Sequence, residues 1–277
     1  MKRYWFLPLI FLGLFLAIWM ARDTLPQKPL QPRIVSPQAM DENMDLAGGP
    51  ERKVRGFPKR KILDLTSMFP DLFIDSGPRE EKLVALTFDD GPDDIFTPQF
   101  LDVLKEKNVK ATFFIIGKRA EGFPEVMKRI YAESHFVGNH TWSHPNLVKL
   151  PLEKVKEEVL KTDRFLQSYS KGSEEDIKIF RSPYGSIDPE RVKLIGKLGY
   201  KIIAWNVDSL DWKGLSAEEV KTNVLENVTN GSIILQHSAG GTGEDLSGSV
   251  KALPQIIDVL RKEGFKFVTI TELLEEK

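Results

Sequence analysis

Cysteine is absent from the 277 residues, so disulfides, thiolate zinc sites and cysteine nucleophiles are all excluded. Its absence fits a reducing or an oxidising compartment equally and gives no address. Histidine is scarce, with four in the whole chain. An excess of one charge is also missing: 39 Lys and Arg face 40 Asp and Glu, which disfavours nucleic acid as a partner. No internal repeat occurs. Glycines cluster at 240–243, but the Gly-Lys-Ser/Thr ending of a phosphate loop does not follow. What is present is 41% hydrophobic residues, enough for one substantial core with appendages.

Lys2 and Arg3 precede a nearly unbroken apolar run over residues 4–21, about the length that spans a bilayer. A removable signal peptide has a shorter apolar stretch and a small-x-small cleavage site, and Trp19-Met-Ala-Arg22 is a poor one. The expectation is a retained membrane anchor over 1–21, basic end in the cytoplasm and the remainder outside it. Secretion after cleavage is the alternative. Residues 22–80 carry Pro26, Pro29, Pro32 and Pro37 with little periodicity, which reads as an extended stalk. Within it, Ile62-Leu-Asp-Leu65 and Met68-Phe-Pro70 are apolar enough to pack onto the domain that follows.

Over 81–277 the pattern becomes regular. Apolar, β-branched or aromatic runs at 83–88, 111–116, 136–138, 177–180, 201–207, 232–236 and 265–270 read as buried strands. Helical patterns lie between them. Thr97-Pro98 and Asp188-Pro189 are cap and first-turn proline pairs, and Ser216-Ala-Glu-Glu219 is a capping box. Gly199 and Gly264 fall where helices should end. About seven strands alternating with helices make an α/β fold with a parallel sheet. Asp89-Asp90, His140, Arg181, Asp208 and His237 each follow the end of a different strand. Such convergence favours a TIM-like barrel over an open sheet, in which these residues would be strung along one edge.

Those strand ends carry the chemistry. Two adjacent carboxylates, Asp89 and Asp90, repel unless a cation relieves one, which leaves the other free as a base. His140 and His144 stand four apart, and Pro145 disfavours helix at His144, so the pair belongs on a turn. Two imidazoles plus a carboxylate, with positions left open for water, make a first shell for a hydrolytic metal ion. His135, just before a strand, reads as structural. Arg181-Ser-Pro-Tyr-Gly185 offers a guanidinium to orient a carboxylate and a turn N–H for an oxyanion. Asp208 and His237 end neighbouring elements, and a carboxylate beside an imidazole favours the imidazolium of a general acid.

Taken together, Thr87-Phe-Asp-Asp-Gly-Pro92, His140-Thr-Trp-Ser-His-Pro145, Arg181-Ser-Pro-Tyr-Gly185, Asp208-Ser-Leu-Asp-Trp212 and Leu235-Gln-His237 resemble the five ordered motifs of the polysaccharide deacetylases. These are carbohydrate esterase family 4, or the NodB-homology domain, and the resemblance covers about 81–277. It implies a distorted (β/α)7 barrel and metal-dependent removal of N-acetyl groups from N-acetylglucosamine polymers such as peptidoglycan or chitin. Residue by residue, it implies that Asp90, His140 and His144 bind one divalent metal, usually Zn2+, with Co2+, Ni2+ or Mn2+ as alternatives. Asp89 becomes the base, Arg181 its orienting partner, and His237 the acid tuned by Asp208. Trp212 and Leu235 would line the acetyl pocket, and the Tyr184 N–H would hold the oxyanion. Retention of Asp90 fits the metal-dependent, glucosamine-directed type. O-deacetylation of xylan and wall-glycan binding without catalysis are the competing functions. The expected partners are an acetylated glycan and, through the anchor, the membrane. The chain is expected to act as a monomer.

Overall fold

The computed structural model describes residues 64–169, 177–241 and 243–275. The anchor expected over 1–21 and the stalk up to residue 63 lie outside them. Among the described residues no helix is long and apolar enough to cross a membrane.

Nine strands lie in one sheet: β1 Phe73–Ile74, β2 Leu83–Asp89, β3 Thr112–Ile115, β4 Phe136–Asn139, β5 Lys178–Phe180, β6 Tyr200–Ile203, β7 Val207–Asp208, β8 Ser232–His237 and β9 Lys266–Phe267. Every pairing between these strands is parallel, in the order β1-β6-β5-β4-β3-β2-β8-β7, with β9 added to β2. Helices fill the connections: α1 Leu65–Met68, α2 Phe96–Glu106, α3 Gly117–Gly122, α4 Pro124–Ala132, α5 Leu152–Gln167, α6 Pro189–Lys197, α7 Ala217–Leu225, α8 Ser247–Lys262 and α9 Ile270–Glu275. The result is an α/β half-barrel of parallel strands.

β2 is buried along its whole length, as its unbroken apolar run demands of a parallel strand covered on both faces. Alternation then divides the core. Leu83, Ala85, Phe114, Ile233 and Leu235 belong to one cluster. Val84, Leu86, Phe88, Phe113, Ile115 and Ile234 belong to a second, against α2, α4 and α8. A period of two therefore sends Thr87 and Asp89 to the same face as Leu235 and His237, and Asp89 is in register with His237 on the neighbouring strand.

Four sequence expectations change. Thr97, expected as a cap, lies inside α2, and Asp93 Oδ1 accepts the N–H groups of Ile95, Phe96 and Thr97 instead. The strand expected over 201–207 is broken in two: β6 pairs with β5 and β1, whereas β7 pairs with β8. Asn206 makes the corner, donating its N–H to Ile233 O and accepting the Ile233 N–H on its side chain. One predicted strand thus bridges two separated parts of the sheet. The run at 265–270 yields only the two residues of β9, because Thr269 and Glu272 cap α9: Glu272 accepts the Thr269 N–H at 2.6 Å and its hydroxyl at 2.8 Å. Finally, residues read as the end of the stalk join the sheet. Leu65, Phe73 and Ile74 are buried, and β1 pairs with Ile202 and Ile203. The caps at Asp188 and Ser216 form as expected, and Gly199 and Gly264 turn the chain with φ of +88° and +90°.

Candidate metal-assisted active site

Asp89 ends β2 with one carboxylate oxygen already committed. Arg181 Nη1 donates to Asp89 Oδ1 at 2.8 Å and to Thr87 Oγ1 at 2.8 Å. The same guanidinium donates through Nε to Ile203 O and through Nη2 to Ala204 O, and lies 4.1 Å from the Phe114 ring centre. Arg181 is 1% exposed. Burial pushes its pKa down, opposed by the charge and hydrogen bond of Asp89. Two carbonyls, a hydroxyl and a carboxylate thus depend on one planar fork that lysine cannot reproduce. The Thr87 hydroxyl keeps its bond to Ile234 O, but Arg181→Met leaves the buried Asp89 charge and two carbonyls without this donor, so unfolding in urea is expected to show a loss of about 3–5 kcal/mol. A change under 1 kcal/mol would contradict this reading.

Asp90 faces the other way because its backbone adopts φ of 69° before the cis Gly91-Pro92 bond. Its Oδ1 lies 3.3 Å from His140 Nε2 and 3.1 Å from His144 Nε2. The three donor atoms all fall within 4.8 Å of one another. His140 Nδ1 stands 2.8 Å from Arg181 O, a contact only an N–H can make, so the ring is oriented with Nε2 toward Asp90. His140 and His144 sit on a turn after β4, as expected, with Thr141 Oγ1 accepting the His144 N–H at 3.0 Å.

Asp90 Oδ1 is buried and has no hydrogen-bond partner. A buried carboxylate oxygen with two imidazole nitrogens converging on it is an arrangement that a divalent cation suits, and one oxygen with two nitrogens fits zinc-like ions. The residues fit the group. Burial alone would raise the Asp90 carboxyl, but the adjoining His140 and His144, with His237 further off, hold it well below the usual carboxylate range.

The acid side of the site departs from the sequence reading. Asp208, expected to tune His237, accepts the Leu210 N–H at 2.8 Å and places its charge near Arg181. The carboxylate that holds His237 is Asp211, with Oδ1 2.8 Å from Nδ1 and Oδ2 accepting the His237 N–H at 2.9 Å. Leu210 is left-handed, φ 55°, and this reversal swings the next carboxylate back over β8. Ser249 on α8 donates to Asp211 Oδ2 at 2.9 Å and accepts from Gln236 at 2.9 Å, which fixes the carboxylate's plane. Burial disfavours the His237 charge, but Asp211, then Asp90 and Asp89, outweigh it and raise the pKa to about 10.

His237 therefore carries its proton across the neutral range. Its raised pKa adds stability that is complete below 6.5 and is lost as pH rises through about 10. Asp211→Asn is expected to move the alkaline limb of kcat/KM down toward 6.5, as the imidazole deprotonates earlier. An unmoved limb would show that another group sets it.

Tyr184 has φ of 60°, is 47% exposed, and places its ring 4.5 Å from that of His144. It lines a groove of about 520 Å³ with Asp90, His144, Ile116, Lys118 and Glu244. Trp212 and Leu235, expected at an acetyl pocket, are not on this groove's wall. Trp212 follows Asp211 in a short helical turn, and Leu235 lies buried on β8 in register with Thr87 and Asp208. His135 is buried, accepts the Ala111 N–H on Nδ1 and takes no part in the site, as expected. Thr87 and Asp211 were missed as functional residues, although the period-two pattern of β2 pointed to Thr87.

Comparison with known proteins agrees with this geometry. The family model for polysaccharide deacetylase matches residues 76–203. A peptidoglycan-N-acetylglucosamine deacetylase of Bacillus cereus is 46% identical over 200 residues, 72% of this chain and 71% of that protein. A solved peptidoglycan N-acetylglucosamine deacetylase, in complex with 4-naphthalen-1-yl-N-oxidanyl-benzamide, has 43% identity and a TM-score of 0.72, covering 77% of this chain and 97% of that one. A solved CE4 family pseudoenzyme from Bacillus anthracis is also similar, at 31% identity and a TM-score of 0.67, covering 74% of this chain and 69% of that one. With Asp89, the Asp90-His140-His144 cluster and His237 assembled at the ends of parallel strands and relatives this similar along most of its length, the chain belongs to the polysaccharide deacetylase family, a family of hydrolases.

Proposed function

We propose that this chain removes N-acetyl groups from N-acetylglucosamine residues of peptidoglycan, releasing acetate, on a distorted (β/α)7 barrel that holds one divalent metal, Zn2+ by preference. The observation that carries this reading is what the strand ends bring together: a carboxylate oriented by Arg181, a cluster of three residues that could hold a metal ion, and an imidazole held by Asp211. The named activity of the similar proteins supports the substrate. Their hydroxamate-type ligand, a chelating group, supports the metal.

A divalent ion at Asp90, His140 and His144 supplies Lewis acidity to the acetyl carbonyl and lowers the pKa of a water. Asp89 takes the proton of the attacking water. Its Oδ1 is engaged by Arg181, and Oδ2, 3.8 Å from His140 Nε2, is the atom that faces the ligand cluster. The water oxygen bonds to the amide carbon, and the N–H of Tyr184, whose ring lies 4.5 Å from that of His144, steadies the charge on the acetyl oxygen. His237, anchored through Nδ1, gives its Nε2 proton to the departing nitrogen as the C–N bond breaks. Acetate and a free amine result. We assign Leu235 and Trp212 to the acetyl methyl group, because Leu235 lies two residues below His237 on its face of β8.

The acid decides between amide and ester substrates. An amine leaves poorly without a proton, whereas an ester does not need so strong an acid, so a buried Asp211-His237 pair favours the N-acetyl group. A non-catalytic role leaves the whole set without a purpose. Acetate released in step with new amines from peptidoglycan and from chitin oligomers would support the proposal. Turnover of acetylxylan alone would overturn it. A substrate in the wall requires export, and we assign the apolar run at 4–21 to anchoring the chain outside the cytoplasm.

A further inference from the structure

The turn that carries His140 and His144 is not held by its own residues alone. Thr141 and His144 adopt φ of 70° and 58°, a conformation that residues with a side chain rarely take. Four consecutive N–H groups must be satisfied there. Asn139 Oδ1 accepts that of Thr141 and Thr141 Oγ1 that of His144. The two between them, from Trp142 at 2.9 Å and Ser143 at 2.8 Å, both go to Oε2 of Glu158 on α5. The other oxygen, Oε1, accepts the Ser143 hydroxyl at 2.8 Å. On the opposite side, Gly117 and Lys118 donate their N–H groups to Thr141 O and Trp142 O.

Glu158 does not act alone on α5. Lys161 Nζ lies 3.8 Å from the Trp142 ring centre, and the Phe165 ring meets Trp142 edge-on at 5.8 Å. Positions 158, 161 and 165 share one face of the helix, so a stripe of α5 grips the centre of the turn. Of the stripe, only the carboxylate binds backbone donors.

We propose that Glu158 is a positioning residue that presets the His140–His144 turn, so that both imidazoles converge on Asp90 before an ion arrives. This rests on the metal reading above and extends it to a residue that touches neither ion nor glycan. Without Glu158, two N–H groups turn to water and the turn samples other shapes. The ion then has to order the turn as it binds, which weakens affinity.

The test is a Zn2+ titration of the metal-free full-length chain against a chromophoric chelator, with thermal unfolding of the metal-free protein alongside. Glu158→Ala is expected to weaken Zn2+ binding about 10- to 100-fold, the range for outer-shell partners. Glu158→Gln, which keeps one carbonyl acceptor, should lose less. Acetate release at saturating Zn2+ should recover most of kcat in both, with the Zn2+ needed for half activity raised. Glu157→Gln, an exposed neighbour paired with Lys154, makes the same charge change and should bind as the parent does. Parental Zn2+ affinity in both Glu158 variants, or lowered stability with affinity unchanged, overturns the proposal. If Glu158→Ala does not fold, Glu158→Gln alone decides it by the same criterion. Failure of the parent chain to bind Zn2+ would instead overturn the metal reading.

Discussion

Asp90→Ala is expected to lower acetate release about 10³-fold or more while leaving the fold intact. The variant removes the one carboxylate in a cluster whose other two members are imidazoles. Charge stabilisation by a bound ion is worth several kcal/mol in the transition state, and each 1.36 kcal/mol is tenfold in rate. Asp89 is not a replacement, because Arg181 holds its Oδ1 and the base role needs its Oδ2 free. The fold should survive because Asp90 Oδ1 has no hydrogen bond to lose. Zinc content and acetate release should fall together, with the far-ultraviolet circular dichroism unchanged. Full activity in this variant would refute the ligand assignment.

The second large effect is expected from His237→Ala, about 10²- to 10⁴-fold on N-acetylglucosamine substrates. The cost arises at C–N cleavage, where the departing nitrogen must gain a proton. Its size should therefore depend on the leaving group. On an O-acetyl ester the same variant should lose much less, because an alkoxide departs more readily than an amide anion. Comparing kcat on an acetylated chitin oligomer and on an acetyl ester separates the two. An equal loss on both would mean that His237 acts by shaping the site and not by donating a proton. Bound zinc should be unchanged, since His237 is not among the converging donors.

The catalytic set was legible where it rests on strand ends and alternation. Asp89, Asp90, His140, Arg181 and His237 each follow a run of buried residues, and a parallel sheet brings such ends together. What escaped depends on turns. Asp208 and Asp211 are both acidic residues just beyond one strand, and only the left-handed Leu210 decides which returns to His237. Glu158 lies 15 residues from Ser143, in a helix whose charges look like any solvated face. Within 201–207 the apolar run from Ile202 is interrupted by Asn206 alone, and one polar residue near the end of a strand does not by itself mark the corner that it makes. β1 is two residues long in a proline-containing stretch, too short for a period to be read.

The most direct test of the account is a titration of the metal-free chain with Zn2+, following bound ion and acetate release from peptidoglycan in the same samples. The rate should start near zero, rise in proportion to ion bound, and level off at a single ion per chain. A metal-free chain that already releases acetate at the full rate would contradict it.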